Sequence, residues 1–197
     1  MIGAVILAAG ESKRMGRPKM VLPWQGTTVI GQVAVVLCAA GIEAVVAVTG
    51  GDREQVEAAL AGTCVQTAFN PRYREDQMIL SLQVGLNALP LGVDAALVVL
   101  GDQPQIQAQV VRAVIAAYRE SHAPLVVPSY RMRRGHPWLV QASLWPALLA
   151  MQAGQTLRDF LNRHAAQIEY VEVDTPSILK DLDTPEDYER ELQGTSY

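Results

Sequence analysis

Cysteine is scarce in this chain. Among the 197 residues there are only two, Cys38 and Cys64, and neither has another Cys or a His nearby at a spacing that would hold a metal. Both lie in apolar stretches of sequence, so we predict reduced core residues and a protein from a reducing compartment. Metal binding through sulfur is not expected.

Long apolar runs and an excess of positive charge are also missing. No apolar run reaches the roughly 18 residues that a membrane-spanning helix needs, and no charged leader precedes the first predicted strand. The formal net charge of -4 argues against duplex nucleic acid as a partner. These absences predict a cytoplasmic protein with neither a nucleic-acid nor a membrane partner.

Two familiar phosphate-binding patterns are absent as well. A P-loop has four residues between its glycines and then Lys-Ser/Thr, but here five residues separate Gly10 from Gly16, and Arg17-Pro18-Lys19 follows. The dinucleotide pattern G-x-G-x-x-G does not occur. Any phosphate site in this chain must therefore be built in another way.

What the chain does contain is a regular alternation of strand and helix patterns. Half of its residues are hydrophobic, enough for one sizeable core, so we expect a single domain over residues 1–197. The alternation predicts a Rossmann-like three-layer α/β/α sandwich with a mostly parallel central sheet. The predicted strands lie at 5–7, 44–49, 64–69, 95–100, 125–128 and 170–173, and the predicted helices at 28–40, 52–61, 78–89, 108–121, 143–152, 156–164 and from 185. A tail is expected from Gly194 to Tyr197.

The first site candidate is the stretch Ala4–Lys19. A buried strand, Val5 to Leu7, ends in the small residues Ala8 to Gly10, where backbone N–H groups can approach a ligand closely. Four cations follow within seven residues: Lys13, Arg14, Arg17 and Lys19. Close backbone donors followed by positive charge are what a polyphosphate requires. The alternative is a basic surface loop.

A second candidate follows the most hydrophobic predicted strand. Asp102 stands just beyond it, in Gly101-Asp102-Gln103-Pro104, where its oxygens could hold Mg²⁺ together with substrate phosphates. The alternative is that Asp102 only caps the helix that begins near Gln105.

Two further candidates lie in the second half of the chain. The stretch Arg131–Pro137 brings three arginines beside Gly135 and His136, which suits a phosphate, although a polar edge hairpin would look the same. Near the end, Thr184 and Pro185 open a helix, but that capping role leaves Asp181 and Asp183 unexplained.

Taken together, these segments resemble the MobA-like nucleotidyltransferases. Leu7 to Lys19 is similar, without a gap, to the family signature L-A-A-G-x-S-x-R-M-G-x-P-K, and the later segments resemble its G-D-x-P, R-G-H-P and D-x-D-T-P-E-D motifs. The resemblance implies a fold of the nucleotide-diphospho-sugar transferase type. Within the family, L-A-A-G, G-D-Q-P and R-G-H-P together are most similar to the molybdenum cofactor cytidylyltransferase branch.

That resemblance implies a Mg²⁺-dependent enzyme that joins CTP to the phosphate of molybdopterin and releases pyrophosphate. It also implies CTP and a molybdopterin-type acceptor as small-molecule partners, and a molybdoenzyme that receives the product. By position, it assigns Asp102 and Asp183 to the metal, with Asp181 as the alternative to Asp183. Lys19, Arg14 and Asp102 would be catalytic. The nucleotide would be bound by Leu7, Ala8, Ala9, Gly10, Arg14, Lys19, Ser81 and Asp102, and the acceptor by Arg134, Gly135 and His136.

One segment departs from the cytidylyltransferase pattern. Where that branch has Gly-Met-small-Ser-Ser-Leu, this chain reads Gln77-Met78-Ile79-Leu80-Ser81-Leu82. We expect Ile79 and Leu80 to narrow the base site and, with Ala9 in place of the Gly of GTP-using relatives, to favour a pyrimidine. The alternatives that remain are transfer to another small phosphorylated acceptor, such as a sugar phosphate, and a non-catalytic carrier of nucleotide and cofactor for a molybdoenzyme.

Overall fold

The computed structural model describes residues 1–194. Its strands are β1 (Ile2–Ala8), β2 (Pro23–Trp24), β3 (Thr27–Thr28), β4 (Ala44–Thr49), β5 (Val65–Phe69), β6 (Ala95–Leu100), β7 (Leu125–Tyr130), β8 (Arg133–Arg134), β9 (Trp138–Gln141) and β10 (Ile168–Glu172). Its α-helices are α1 (Val29–Ala39), α2 (Arg53–Leu60), α3 (Met78–Ala88), α4 (Ala108–Ser121), α5 (Trp145–Leu149), α6 (Leu157–Arg163) and α7 (Pro185–Gly194). Of the predicted tail, Gly194 is the last residue of α7, and the rest lies outside the described residues.

The strands form one main sheet in the order β10-β7-β9-β6-β1-β4-β5, with β8 paired to β7. β1 lies near the centre and pairs in parallel with β4 and β6; β4 with β5 and β7 with β10 are parallel as well. β9 runs antiparallel to both β6 and β7. The predicted mostly parallel sheet is confirmed. The sequence does not predict β9, because its four residues directly follow the motif Arg131–Pro137 and show no strand pattern of their own.

Helices cover both faces of this sheet. Along β1, Ala4 and Ile6 point into the core beneath α1, α2 and α4, whereas Val5 and Leu7 point into the core beneath α3, α5 and α6. This alternation is what a strand produces when both of its faces are buried. The predicted three-layer α/β/α sandwich is confirmed.

Most predicted boundaries agree with the structure to within two residues. The largest difference lies at 143–152, where only Trp145–Leu149 is α-helical, after a 3₁₀ turn at Ala142–Leu144. The strand predicted at 125–128 continues to Tyr130, because it enters a hairpin with β8.

The cysteine prediction is wrong. Cys38 and Cys64 are both exposed, and they form a disulfide that joins the end of α1 to the turn before β5. α1 buries Val33 and Leu37 but turns Cys38 outward, a distinction that apolar neighbours in sequence do not reveal. The disulfide also removes the argument for a reducing compartment.

Among residues 1–194, no helix is both long enough and apolar enough to cross a membrane.

Candidate nucleotide and metal site

A cleft of about 530 Å³ opens at the carboxyl ends of β1 and β6. Open α/β sheets place their ligands at this edge. All but one of the predicted site residues line it: Leu7, Ala9, Gly10, Arg14, Lys19, Ser81, Asp102, Arg134, Gly135, His136 and Asp183. The exception is Ala8, which is 3% exposed and packs in the core beneath α1. The structure thus brings together residues from the start, the middle and the end of the chain.

The loop after β1 is held in shape by Ser12. Its carbonyl oxygen accepts hydrogen bonds from the N–H groups of Met15 and Gly16, and its Oγ accepts one from the N–H of Lys19 at 3.1 Å. Gly16 has a φ of 69°, in the left-handed region that favours glycine. This bonding fixes Lys19 at the mouth of the cleft.

The ends of the neighbouring strands support the same loop. The N–H of Gly101 donates to the carbonyl of Leu7 at 3.0 Å. A Cβ on Gly50, at the end of β4, would lie 2.2 Å from the carbonyl oxygen of Ala9. Because Gly50 fits so closely, the backbone of the loop cannot retreat toward β4.

Lys19 lies between the two predicted metal ligands. Its Nζ is 2.5 Å from Asp102 Oδ2 and 3.3 Å from Asp183 Oδ1, and its side chain is only 12% exposed. Arg14 Nη1 lies 2.9 Å from the other oxygen of Asp183. Burial would lower the pKa of Lys19, but Asp102 and Asp183 together outweigh that effect and raise it. The two carboxylates thus share the ammonium of Lys19, and Asp183 is also paired with Arg14.

The segment that carries Asp183 is fastened to the loop after β6. The N–H of Leu182 donates to the carbonyl of Asp102 at 3.1 Å, and Gln103 Nε2 donates to Asp181 Oδ1 at 2.7 Å. Burial and the nearby charge of Asp102 raise the pKa of Asp181. Of the two candidates, Asp183 is therefore the one that shares a cation with Asp102.

These two carboxylates suit a divalent cation. Mg²⁺ is commonly held by one or two carboxylates, with substrate phosphates and water completing its coordination. Asp102 and Asp183 already converge on a single positive charge, that of Lys19. Among residues 1–194 there is no group of three or more His, Cys, Asp or Glu side chains that could hold a metal by themselves. The donor set therefore fits a metal that arrives with phosphate oxygens.

The predicted acceptor residues line another wall of the cleft. Arg134 Nε donates to the hydroxyl of Tyr170 and its Nη1 to Asn162 Oδ1, both at 2.8 Å. A Cβ on Gly135 would lie 2.4 Å from the carbonyl oxygen of Ile178, so only glycine fits there. Burial lowers the pKa of His136 to about 4, so its imidazole is neutral at pH 7.

This wall continues into a second cavity of about 840 Å³. The two cavities share six lining residues, Met78, Arg133, Arg134, Gly135, His136 and Arg158, so they form one extended cleft. Such a cleft can hold two substrates side by side, or one elongated substrate.

The hairpin given as the alternative for Arg131–Pro137 is present, and the phosphate interpretation stays a prediction. Arg131 and Met132 have φ values of 49° and 64° and form the turn of a hairpin between β7 and β8. Arg131 lies over the ring of Tyr130 at 5.1 Å, away from the cleft. Arg133 and Arg134 follow the turn and line the cleft.

The expectation for the start of α3 is wrong. Ile79 and Leu80 are 1% and 4% exposed and pack in the core, whereas Gln77, Met78 and Ser81 line the cleft. A helix presents residues three apart on the same side, so Met78 and Ser81 share a face that Ile79 and Leu80 do not. The larger side chains therefore fill the core and do not narrow the base site.

Sequence reasoning also missed three residues in or beside the cleft. Gln103 positions Asp181, Arg158 of α6 adds a cation, and Asn70 bonds Ser81. The position of Gln103 beside Asp102 was a usable signal. Arg158 had none, because a helical Arg is ordinarily solvated.

Comparison with known proteins identifies the family. Residues 4–168 match the family described as the MobA-like NTP transferase domain. The chain belongs to this family. The match covers the loop after β1, Asp102 and the acceptor wall, and it ends before Asp183.

Individual relatives of this MobA-like chain carry different names. It is 30% identical to nicotine blue oxidoreductase from Paenarthrobacter nicotinovorans, over 97% of this chain and 96% of that protein. It is 25% identical to the molybdenum cofactor cytidylyltransferase of Escherichia coli K12, over 95% and 93%. Among solved structures, Rv0371C of Mycobacterium tuberculosis H37Rv in complex with manganese superposes with a TM-score of 0.80 at 28% identity, over 98% and 99%.

Proposed function

We propose that this MobA-like nucleotidyltransferase joins CTP to the phosphate of molybdopterin and releases pyrophosphate. The observation that carries the proposal is the position of Lys19 between Asp102 and Asp183, at the end of a small-residue phosphate loop. The similarity to the Escherichia coli cytidylyltransferase supports the choice of substrates.

In this reaction a phosphate oxygen of the acceptor attacks the α-phosphorus of CTP, and the bond to the leaving pyrophosphate breaks. The backbone of Ala8 to Gly10 binds the nucleotide, and Arg14 and Lys19 contact the triphosphate. Asp102 and Asp183 would hold Mg²⁺, which would neutralise phosphate charge. Lys19 stabilises the negative charge that develops on the leaving group, so catalysis rests on positioning and electrostatics.

The acceptor occupies the wall formed by Arg134, Gly135 and His136. Arg134 is held by Tyr170 and Asn162, so its guanidinium is oriented before a phosphate arrives. We propose one nucleotidyltransferase domain over residues 1–197, with a nucleotide-binding N-terminal half and an acceptor-binding C-terminal half. A molybdoenzyme would receive the product.

We also propose a cytoplasmic location, where molybdopterin and CTP would be available. The exposed disulfide between Cys38 and Cys64 is the observation against it, since disulfides are rare in reducing compartments. Thiol labelling in intact cells distinguishes a reducing location from an oxidising one. Cysteines that react with the label support a cytoplasmic protein, and cysteines that do not react contradict it.

The similarity to nicotine blue oxidoreductase favours a second candidate, an oxidoreductase that acts on nicotine blue or a similar compound. The second cavity has Trp138, Leu157 and Tyr170 in its lining, which suits an aromatic ring. Hydride transfer does not, however, require two carboxylates around a lysine at a phosphate loop.

One assay separates these candidates. Purified protein with Mg²⁺ is given CTP, GTP or ATP together with molybdopterin or a sugar phosphate, and pyrophosphate release is measured. A parallel series follows oxidation of a reduced nicotinamide nucleotide with nicotine blue present. Pyrophosphate release only with CTP and molybdopterin supports the proposal. Pyrophosphate release with another acceptor points to transfer to that acceptor. Oxidation of the nicotinamide nucleotide points to an oxidoreductase, and no turnover at all points to a non-catalytic carrier.

Asp102→Ala should abolish pyrophosphate release and leave the fold intact. The side chain faces the cleft and is 16% exposed, so its removal eliminates a metal ligand without opening a cavity in the core. Asp181→Asn is the matched control and should keep activity, because it removes a neighbouring carboxylate charge but keeps the oxygen that accepts from Gln103. An active Asp102→Ala enzyme, or an inactive one that has unfolded, contradicts the assignment.

A further inference from the structure

Asn70 is a buried polar residue for which the proposed mechanism has no use. It stands directly after β5 and is 2% exposed. Its Nδ2 donates a hydrogen bond at 3.0 Å to the Oγ of Ser81, which is 6% exposed and lines the cleft. The pair therefore joins the end of an edge strand to the wall of the candidate nucleotide site.

The orientation of the Asn70 amide is fixed by its other partner. The N–H of Arg72 donates to Asn70 Oδ1 at 2.9 Å, and an N–H group can only donate. The oxygen of the amide must therefore face Arg72, and the NH₂ group must face Ser81. The backbone of Asn70 is anchored as well, because its own N–H donates to the carbonyl of Thr49 at 2.9 Å.

This orientation determines what Ser81 can offer to a ligand. The Ser81 oxygen accepts from Asn70, so its proton must point elsewhere. Within residues 1–194, Ser81 makes no other side-chain hydrogen bond. The proton is thus free to be donated into the cleft.

We infer that Asn70 is a positioning residue that makes Ser81 a hydrogen-bond donor to an acceptor atom of the bound nucleotide. The inference rests on the nucleotide-binding part of the proposed function, and it adds Asn70 to the site. Reversing the Ser81 hydroxyl should then weaken nucleotide binding, even when the shape of the pocket is unchanged.

Asn70→Asp tests this directly. Aspartate has the size of asparagine and still accepts from Arg72, but it also accepts from Ser81 and so turns the hydroxyl proton away from the cleft. We expect the Kd for CTP, measured by calorimetry with Mn²⁺ and without an acceptor, to rise about tenfold, as for one lost hydrogen bond. Ser81→Ala should weaken binding to a similar extent. Asn70→Asp should have no further effect in the Ser81→Ala background.

Asn70→Ala distinguishes this role from a purely structural one. Alanine leaves the Ser81 hydroxyl free to rotate, so it should weaken binding less than aspartate does. If Asn70 only held β5 against α3, alanine would be the more damaging change, because it removes both side-chain bonds and leaves a cavity.

Thermal unfolding of each variant accompanies the binding measurement. If the aspartate variant does not fold, the same double-mutant cycle is run with Asn70→Ala. The loss of CTP affinity that Asn70→Ala causes must then disappear in the Ser81→Ala background. The inference is overturned if Asn70→Asp leaves the affinity for CTP unchanged. It is also overturned if Asn70→Asp lowers that affinity equally in the wild-type and the Ser81→Ala backgrounds. The Kd values for GTP and ATP are measured alongside that for CTP. Tighter binding of a purine nucleotide contradicts the proposed base, and the double-mutant cycle is then measured with that nucleotide.

Discussion

At the scale of single residues, the ion pairs that Lys19 makes compete with the role in phosphate binding that we propose for it. Its ammonium lies within 3.3 Å of a carboxylate oxygen of both Asp102 and Asp183. A metal ion bound by the same two carboxylates must displace it, and the phosphates of the nucleotide then give it a new partner. Metal and nucleotide should therefore bind together.

Replacing Lys19 by methionine separates these roles. Without the ammonium, kcat for pyrophosphate release should fall by a factor corresponding to about 3 kcal/mol, with a smaller change in KM, because the lost interaction strengthens in the transition state. Without nucleotide, Mn²⁺ should bind more tightly to the variant than to the wild type, since two carboxylates lose their resident cation. Steady-state kinetics and Mn²⁺ titration check the two effects.

Lys13→Met is the matched control for both measurements. Lys13 belongs to the same loop, but it is 70% exposed and pairs with Glu11. It should change neither kcat nor the affinity for Mn²⁺. A change in KM alone for Lys19→Met would make Lys19 a binding residue, and unchanged or weaker Mn²⁺ binding would contradict the competition.

At the scale of elements, the strands and helices around β1 could be predicted because both faces of the sheet are buried. Val5 to Leu7 gives a continuous apolar run, and α4 shows its apolar stripe plainly, so the predicted 108–121 matches Ala108–Ser121. The short strand β9 escaped prediction, because four residues after a proline give too little pattern.

The site residues divide in the same way. The positions of Lys19 and Asp102 in the cleft were predictable, because Asp102 comes just after β6, Lys19 closes the loop after β1, and each lies in a recognisable motif. Asn70 and Arg158 were not, because their roles depend on which side chain they meet in space. Ile79 and Leu80 are the opposite case. Their position in a motif predicts that they line the pocket, but the turn of α3 places them in the core.

The disulfide between α1 and the turn before β5 gives an element-scale prediction. It closes a loop of 26 residues, which should stabilise the fold by about 3 kcal/mol relative to the reduced chain. The variant with Cys38→Ser and Cys64→Ser should therefore unfold roughly 6 to 12 °C lower. Its kcat should be unchanged, because neither cysteine lines the cleft.

Thermal unfolding with and without dithiothreitol makes the test specific. The reductant should lower the midpoint of the wild type toward that of the double serine variant and leave the variant itself unaffected. Two freely titrating thiols in the native, non-reduced protein would contradict the disulfide.

At the scale of the whole molecule, stability should depend on pH through His136. Its pKa is lowered to about 4 by burial, whereas the unfolded chain titrates near 6.5. Between these values the unfolded state binds more protons than the folded state. With respect to His136, the free energy of unfolding should therefore be highest above about pH 6.5 and should decline as the pH falls toward 4.

Urea unfolding at pH 7 and pH 4.5 measures this decline in the free energy of unfolding. His136 should contribute about 2 kcal/mol of it, a value already reduced because the side chain is partly exposed. In His136→Gln that share should disappear. His122→Gln is the control, because His122 is exposed at the end of α4. A decline of equal size in all three proteins would show that other groups cause it.

The cleft as a whole should also determine which base is accepted. Ala9 lines it where GTP-using relatives are expected to have glycine, and Gly50 packs against the Ala9 carbonyl so closely that the loop cannot move back. One methyl group on a fixed backbone should therefore count against a purine. The expected preference for CTP over GTP is 10- to 200-fold in kcat/KM, the range that one methyl provides.

Ala9→Gly should reduce that preference by raising kcat/KM for GTP, with little change for CTP. Ala8→Gly is the matched control, since it adds a glycine at the end of β1, next to Ala9, at a residue that does not line the cleft. Both variants are assayed with CTP and GTP at fixed Mg²⁺ and molybdopterin. If Ala8→Gly shifts the ratio as much as Ala9→Gly does, the selection comes from the stiffness of the loop and not from the methyl group. A wild type that prefers GTP would place the protein with the guanylyltransferases, because the added methyl would then have failed to exclude a purine.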